Sequence, residues 1–186
     1  MPIVLLISPE YVYQNSHVNA SVESSKITPF IRVAQDKYIE ALLGTDLIQK
    51  LQSDGNAAAG NYLTLRDNYV RPCLLWYTLQ ELMPTLNYKV DNGNLAQHNS
   101  DNTQAIGQQE MNRLITDAKN NAIFYAKRLQ DYLCNYSNLF PEYSTNTGND
   151  VSPHGRYIQT FAFTGNNHDM RRDHNPRDNK LNRYLP

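Results

Sequence analysis

The chain has 186 residues, 40% of them hydrophobic, enough for one modest domain plus some further chain. Its formal net charge of −1 and its low charged content of 19% exclude a strong global field that would draw it to duplex DNA or an acidic membrane. No run approaches the roughly 20 apolar residues of a membrane span.

Met1 to Ile7 is apolar but short and lacks the basic flank of a signal peptide, so it reads as a strand or arm packed on something. Ser8-Pro9-Glu10 is a compact helix start: a hydroxyl cap, a proline at the first helical position and an acid at the positive end of the dipole. One or two turns follow, to about Gln14. Val18 and Val22 are the anchors of the polar stretch behind them.

Ile27 to Leu51 is the centre of the scaffold. Ile27, Phe30, Ile31, Ala34, Tyr38, Ala41 and Leu42 recur at steps of three and four, which places one apolar stripe on a helix. Ser24 or Ser25, or else Thr28, is the expected cap, with Pro29 tolerated in the first turn. Gly44 ends the helix cheaply, and Thr45 is expected to cap a shorter one carrying Leu47, Ile48 and Leu51. Asp54-Gly55-Asn56 then breaks the chain.

Asn61 to about Met83 is helical and apolar nearly all round, which marks a helix buried on several sides. Pro72 predicts a kink or break near Asn68 to Arg71, and Met83-Pro84 predicts its end. Residues 87–97 read as a β-hairpin turning at Asn92-Gly93, because both residues accept positive φ. Asp101 or Thr103 caps the last long helix, expected from about Ala105 to Tyr136. Met111, Leu114, Ile115, Ala118, Ala122, Phe124, Tyr125, Leu129, Tyr132 and Leu133 form its stripe. Arg113, Asp117, Lys119, Lys127, Arg128 and Asp131 form its wet face, and Leu139-Phe140-Pro141 terminates it.

From Glu142 the composition shifts to Gly, Asn, Asp, Ser, Pro and Arg, and helical periodicity stops. Such a stretch cannot build its own core. It is expected to be an arm that orders on a partner, with Tyr157 to Phe163 as a strand added to a neighbour's sheet edge.

Chemistry is sparse. Cys73 and Cys134, with no spacing pattern, read as reduced core thiols. None of the five histidines falls on a predicted core helix. His168 to His174 matches no common metal spacing. Phosphate-binding, dinucleotide-binding, nucleophile-elbow and zinc-helix motifs are absent from the sequence. Asp36 with Glu40, and Asp46 with Asp54, lack an activating neighbour and read as surface charge. As a helix-turn-helix the Ile27–Leu51 unit is too poor in cations, with Lys50 alone in its second helix. No catalytic, cofactor or metal residue is therefore assigned, and the chain is not expected to be an enzyme.

Five landmarks occur in order: Ala34-Gln35-Asp36; Leu42-Leu43-Gly44-Thr45-Asp46-Leu47; Tyr69-Val70-Arg71-Pro72 to Glu81-Leu82-Met83-Pro84, followed by the hairpin; Ala122 to Leu133; and Leu139-Phe140-Pro141-Glu142-Tyr143. Over about Ile7 to Tyr143 the chain resembles a family from tailed phages of Bacteroidales, including crAss-like phages. That family looks like their head–tail connector, or adaptor, ring proteins. The resemblance implies a mainly α fold, a helical bundle of the adaptor type over residues 1–143 with a short β-hairpin, to which the composition adds the expected extended C-terminal arm over residues 144–186. It implies a structural virion protein made in the host cytoplasm. Copies form a ring below the portal, dodecameric as a rule, which extends the DNA channel and joins capsid to tail. The partners implied are further copies, the portal protein and the next ring or tail proteins. Duplex DNA passes through without sequence-specific binding, and neither a cofactor nor a membrane is involved. The arm lies beyond the resemblance. Tyr157, Ile158, Phe161 and Phe163 are its expected docking strand, and Arg171, Arg172, Leu181, Tyr184 and Leu185 its further contacts. The alternative is a soluble helical DNA-binding or regulatory module.

Overall fold

A computed structural model describes residues 4–86, 88–91, 94–97, 107–145 and 151–153. The fold is mainly helical. Helix α1 (Pro9–Asn15) starts as its sequence dictates, with the Ser8 hydroxyl accepting from the Tyr11 amide at 3.3 Å. Helix α2 (Ser24–Ala34) runs without interruption into a π turn (Gln35–Ile39) and then α3 (Glu40–Leu43). Neither Ser24, Ser25 nor Thr28 caps α2. The helix begins after Glu23 with no side-chain cap, and the Thr28 hydroxyl bonds back to the Ser24 carbonyl instead. Pro29 stands in the helix interior, past the first turn. Its missing N–H leaves the Ser25 carbonyl without a helical donor.

Helix α4 (Thr45–Asp54) follows Gly44, and a 3₁₀ turn (Gly55–Ala57) leads to α5 (Gly60–Leu65). A second π turn (Arg66–Val70) then joins α5 to α6 (Arg71–Leu86). The disturbance expected from Pro72 is therefore present as a widened turn rather than a break. A π turn reaches one residue further for each bond, as the Arg71 amide does to the Arg66 carbonyl, so the chain passes the missing Pro72 donor and helix resumes at Arg71. Pro84 does not end α6. The helix continues to Leu86, because Leu82 and Met83 are buried and the Thr85 hydroxyl donates to the Leu82 carbonyl at 2.7 Å.

Strands β1 (Tyr88–Asp91) and β2 (Asn94–Gln97) pair antiparallel, with Tyr88 opposite Gln97 and Asp91 opposite Asn94. Asn92 and Gly93 lie outside the described residues. Helix α7 (Gln108–Asn135) begins after Gly107 rather than at Asp101 or Thr103, which are not among the described residues. It ends into a 3₁₀ turn (Ser137–Leu139) and the single turn α8 (Pro141–Ser144).

Helix α6 is the hub. It packs on α7 along one side and on α2 along another. Its buried Cys73, Leu74, Leu75, Tyr77, Thr78, Leu79, Leu82 and Met83 account for an apolar pattern with no wet stripe. The first helical run brings buried Ile27, Ile31, Ala34 and Ile39 to the same core, and α7 brings Ala118, Ala122, Ala126 and Leu129. The run of alanines on α7 permits close approach of the two helix backbones. Two expectations for α7 fail. Phe124 is 62% exposed, and Cys134 is exposed rather than in the core. Both stand a partial turn away from the alanine stripe, Phe124 on the outer side of α7 and Cys134 at its end, beside Tyr143 of α8.

Val4 to Ile7 is irregular chain, bent at Leu6 and Ile7, and held by side chains. The buried Gln35 accepts from the Leu6 amide at 2.9 Å and donates to the Val4 carbonyl at 3.2 Å. Arg71 donates to the Leu6 carbonyl at 3.1 Å. An amide side chain supplying one donor and one acceptor here does the work of a neighbouring strand.

Candidate interaction site at the root of the C-terminal segment

The junction between α3 and α4 is where the chain beyond α8 returns to the body. Gly44 adopts φ 80° and ψ 159°, a conformation essentially confined to glycine, and its carbonyl accepts the first α4 bond from Ile48. A Cβ built on Gly44 would stand 2.5 Å from Cδ of Pro153. The glycine therefore serves two purposes, the sharp turn between helices and the close approach of the proline ring.

Thr45 was expected to cap α4, but Gly44 occupies the cap position and Thr45 is the first helical residue. Its polar groups are used elsewhere. The Thr45 amide, which has no partner within a helix at this position, donates to the Val151 carbonyl at 2.9 Å. The Val151 amide donates to the Thr45 hydroxyl at 3.0 Å, and that hydroxyl donates to Glu40 Oε1 at 3.1 Å. One threonine thus satisfies both backbone groups of Val151. Next to it the Thr145 hydroxyl donates to Asp46 Oδ2 at 2.9 Å.

The approach to this corner is also fixed. Phe140 is fully buried, and the Tyr62 ring meets it edge-on at 5.4 Å. The Tyr62 hydroxyl donates to Glu142 Oε2 at 2.7 Å, and Lys50 Nζ lies 5.5 Å above the Tyr62 ring. Burial, then the hydrogen bond to the Glu142 carboxylate, pushes the Tyr62 hydroxyl up to about 12. It stays a neutral donor throughout the ordinary pH range.

A second polar cluster lies between the first π turn and α6. Glu81 accepts from Lys37 Nζ at 2.8 Å and from the Tyr38 hydroxyl at 2.5 Å, while Tyr38 stacks on Tyr77 with centroids 4.0 Å apart. Burial raises the Glu81 carboxyl, but the bonds from Lys37 and Tyr38 outweigh it and hold the group below its ordinary value. Gln80 donates to the Tyr38 hydroxyl at 3.2 Å, and its own Oε1 is buried with no hydrogen-bond partner among the described residues.

Among the described residues no group of three His, Cys, Asp or Glu side chains is placed to hold a metal ion. Burial pushes the Cys73 thiol far up, so it is inert. Among the described residues no helix is long and apolar enough to cross a membrane. The predicted docking residues Tyr157, Ile158, Phe161, Phe163, Arg171, Arg172, Leu181, Tyr184 and Leu185 all lie outside the described residues. What the structure places is the root from which that segment continues. Sequence reasoning missed Val151 and Pro153. The one available signal was Val151-Ser152-Pro153, a β-branched residue followed by a Ser-Pro pair whose serine is biased to extended conformations.

The fold defines a class: a mainly helical body with its C-terminal segment tied to an interhelical corner. Residues 39–153 match a family described as a family of unknown function, DUF6712, and the chain belongs to it. The matched region runs from the end of the first π turn to Pro153, so it includes the docked root as well as the helices. No curated protein and no solved structure matches the chain.

Proposed function

We propose that this protein is a structural component of a virion, a head–tail connector (adaptor) subunit that forms a ring below the portal and carries the DNA channel towards the tail. The ordered set of helix landmarks and its resemblance to phage connector proteins suggest the job. The observation that carries the reading is the fixed root. A connector subunit has to present a partner-binding segment from a defined point on a rigid body, and Asp46, Thr45 and Gly44 meet Thr145, Val151 and Pro153 respectively at such a point. The segment after Pro153 then docks through Tyr157, Ile158, Phe161 and Phe163, with Arg171, Arg172, Leu181, Tyr184 and Leu185 as further contacts. On this reading there is no turnover and no cofactor. DNA passes through the ring, held by none of its bases.

The test is the native mass of the purified chain with and without portal protein, together with particle assembly by a chain lacking Gly155 to Pro186. The expected result is a closed oligomer on the portal with the full chain, and capsids that fail to retain DNA or join tails with the shortened one. A monomer that never joins the portal overturns the connector reading. Joined, DNA-filled particles from the shortened chain overturn the docking role of the segment.

A further inference from the structure

The outer face of α7 presents a row of exposed side chains that other described elements touch only at Arg128, over Tyr69, and at Cys134, beside Tyr143. Glu110, Arg113, Asp117, Asn120, Phe124, Lys127, Arg128, Asp131 and Cys134 are all exposed. They follow one another at steps of three and four, apart from the adjacent pair Lys127 and Arg128, so they form a single stripe along the helix. Phe124 stands at its middle, 62% exposed, its ring edge-on to Tyr125 at 5.3 Å. The ion pairs formed among the described residues all involve other elements, and none uses a charge of α7. Arg128 is turned aside, over the Tyr69 ring at 5.0 Å.

The signs along this stripe have an internal symmetry. If a second α7 is laid antiparallel with its Phe124 against Asn120, then Arg113 faces Asp131 of the second copy and Asp117 faces Lys127 of the second copy. The two-fold axis repeats both pairs, and no like charges oppose each other. Two parallel helices in register would instead set every charge against its own kind. We propose that the outer face of α7 is a two-fold docking surface for a second copy of this chain, centred on Phe124 and held in register by these reciprocal ion pairs. A two-fold contact uses the same patch on both partners, whereas a ring closes through two different patches. The pairing is therefore a property of the free chain and stands apart from the connector reading.

The stripe predicts an association that is charge-steered and sensitive to salt, because its pairs are exposed and one aromatic ring sits at the centre. The experiment is sedimentation of the purified full chain over a range of concentrations, at about 0.05 M and about 0.5 M salt. A monomer–dimer equilibrium that weakens at the higher salt is expected. Lys127→Asp sets an acid against Asp117 of the second copy and weakens the dimer roughly tenfold or more. Adding Asp117→Lys to Lys127→Asp restores the pairing with its signs exchanged. Phe124→Ser weakens it as well. All these positions are exposed, so far-ultraviolet circular dichroism is expected to stay unchanged. A further check uses Cys134, which this register sets opposite Glu110 of the second copy. In Glu110→Cys, a short bismaleimide links two copies, because the two positions within one α7 stand about 36 Å apart at 1.5 Å per residue. A chain that stays monomeric at every concentration in low salt overturns the proposal. So does a dimer that Lys127→Asp leaves unchanged.

Discussion

Replacing Gly44 by alanine tests the root directly. The residue sits at φ 80° and ψ 159°, where a side chain costs about 1–3 kcal/mol in backbone strain. The new methyl group would also lie 2.5 Å from Cδ and 3.1 Å from the nitrogen of Pro153, so the proline has to move. Both atoms belong to a ring closed on the backbone, and neither can swing aside as a flexible side chain would. Moving Pro153 strains the two bonds between Thr45 and Val151, each worth about 1 kcal/mol. Gly44→Ala is therefore expected to lower unfolding free energy by about 2–4 kcal/mol in urea titration, with faster proteolysis after Ser144. A cycle with Pro153→Ala separates the two causes. Removing the ring relieves the nearest contact, so the double variant is expected to be less destabilised than the two single losses together. A loss below about 0.5 kcal/mol for Gly44→Ala would refute the argument that this glycine is required by its backbone angle and by the proline. Strict additivity would show that Pro153 is not the obstacle.

Three further outcomes follow from other parts of the structure. A chain ended at Pro153 is expected to be more stable than one ended at Tyr143 by about 2–3 kcal/mol, measured by denaturant unfolding, because it keeps the Thr45–Val151 and Thr145–Asp46 bonds; equal stabilities would mean that the root is not docked. Gln35→Leu keeps the volume but leaves the buried Leu6 amide without its acceptor, a loss of about 1–3 kcal/mol that hydrogen exchange at Leu6 would localise. The Glu81 carboxyl is held below its unfolded value, so its contribution is full above about pH 4.3 and is lost as pH falls through the lowered folded value. Glu81→Gln should flatten the acid limb of the stability curve, and an unaltered limb would rule out this carboxylate as its source.

Much of the helical body was legible in the residues themselves. Periodicity placed the buried faces of α2, α6 and most of α7, because a stripe at steps of three and four has to be covered whatever covers it. Ser8-Pro9 marked the start of α1 for a local reason, and local reasons can be read from sequence. Caps that depend on distant chain could not be read in this way. Thr45 carries the right side chain for a cap, yet Val151 competes for that hydroxyl from more than a hundred positions away. Pro84 carries the right signal for a helix end, yet burial of Leu82 and Met83 outweighs one missing bond.

Phe124 is a different case: it stands two positions from both Ala122 and Ala126, about half a turn round the helix, so its own spacing already sets it off the buried stripe. The sequence alone determined that this chain is built of helices around an apolar α6, since hydrophobic period and helix punctuation are properties of neighbouring residues. The tertiary structure alone decided that Gly44 is needed for Pro153 as well as for a turn, and that α7 has an open outer face. Those facts depend on which distant segments meet, and no local pattern encodes that.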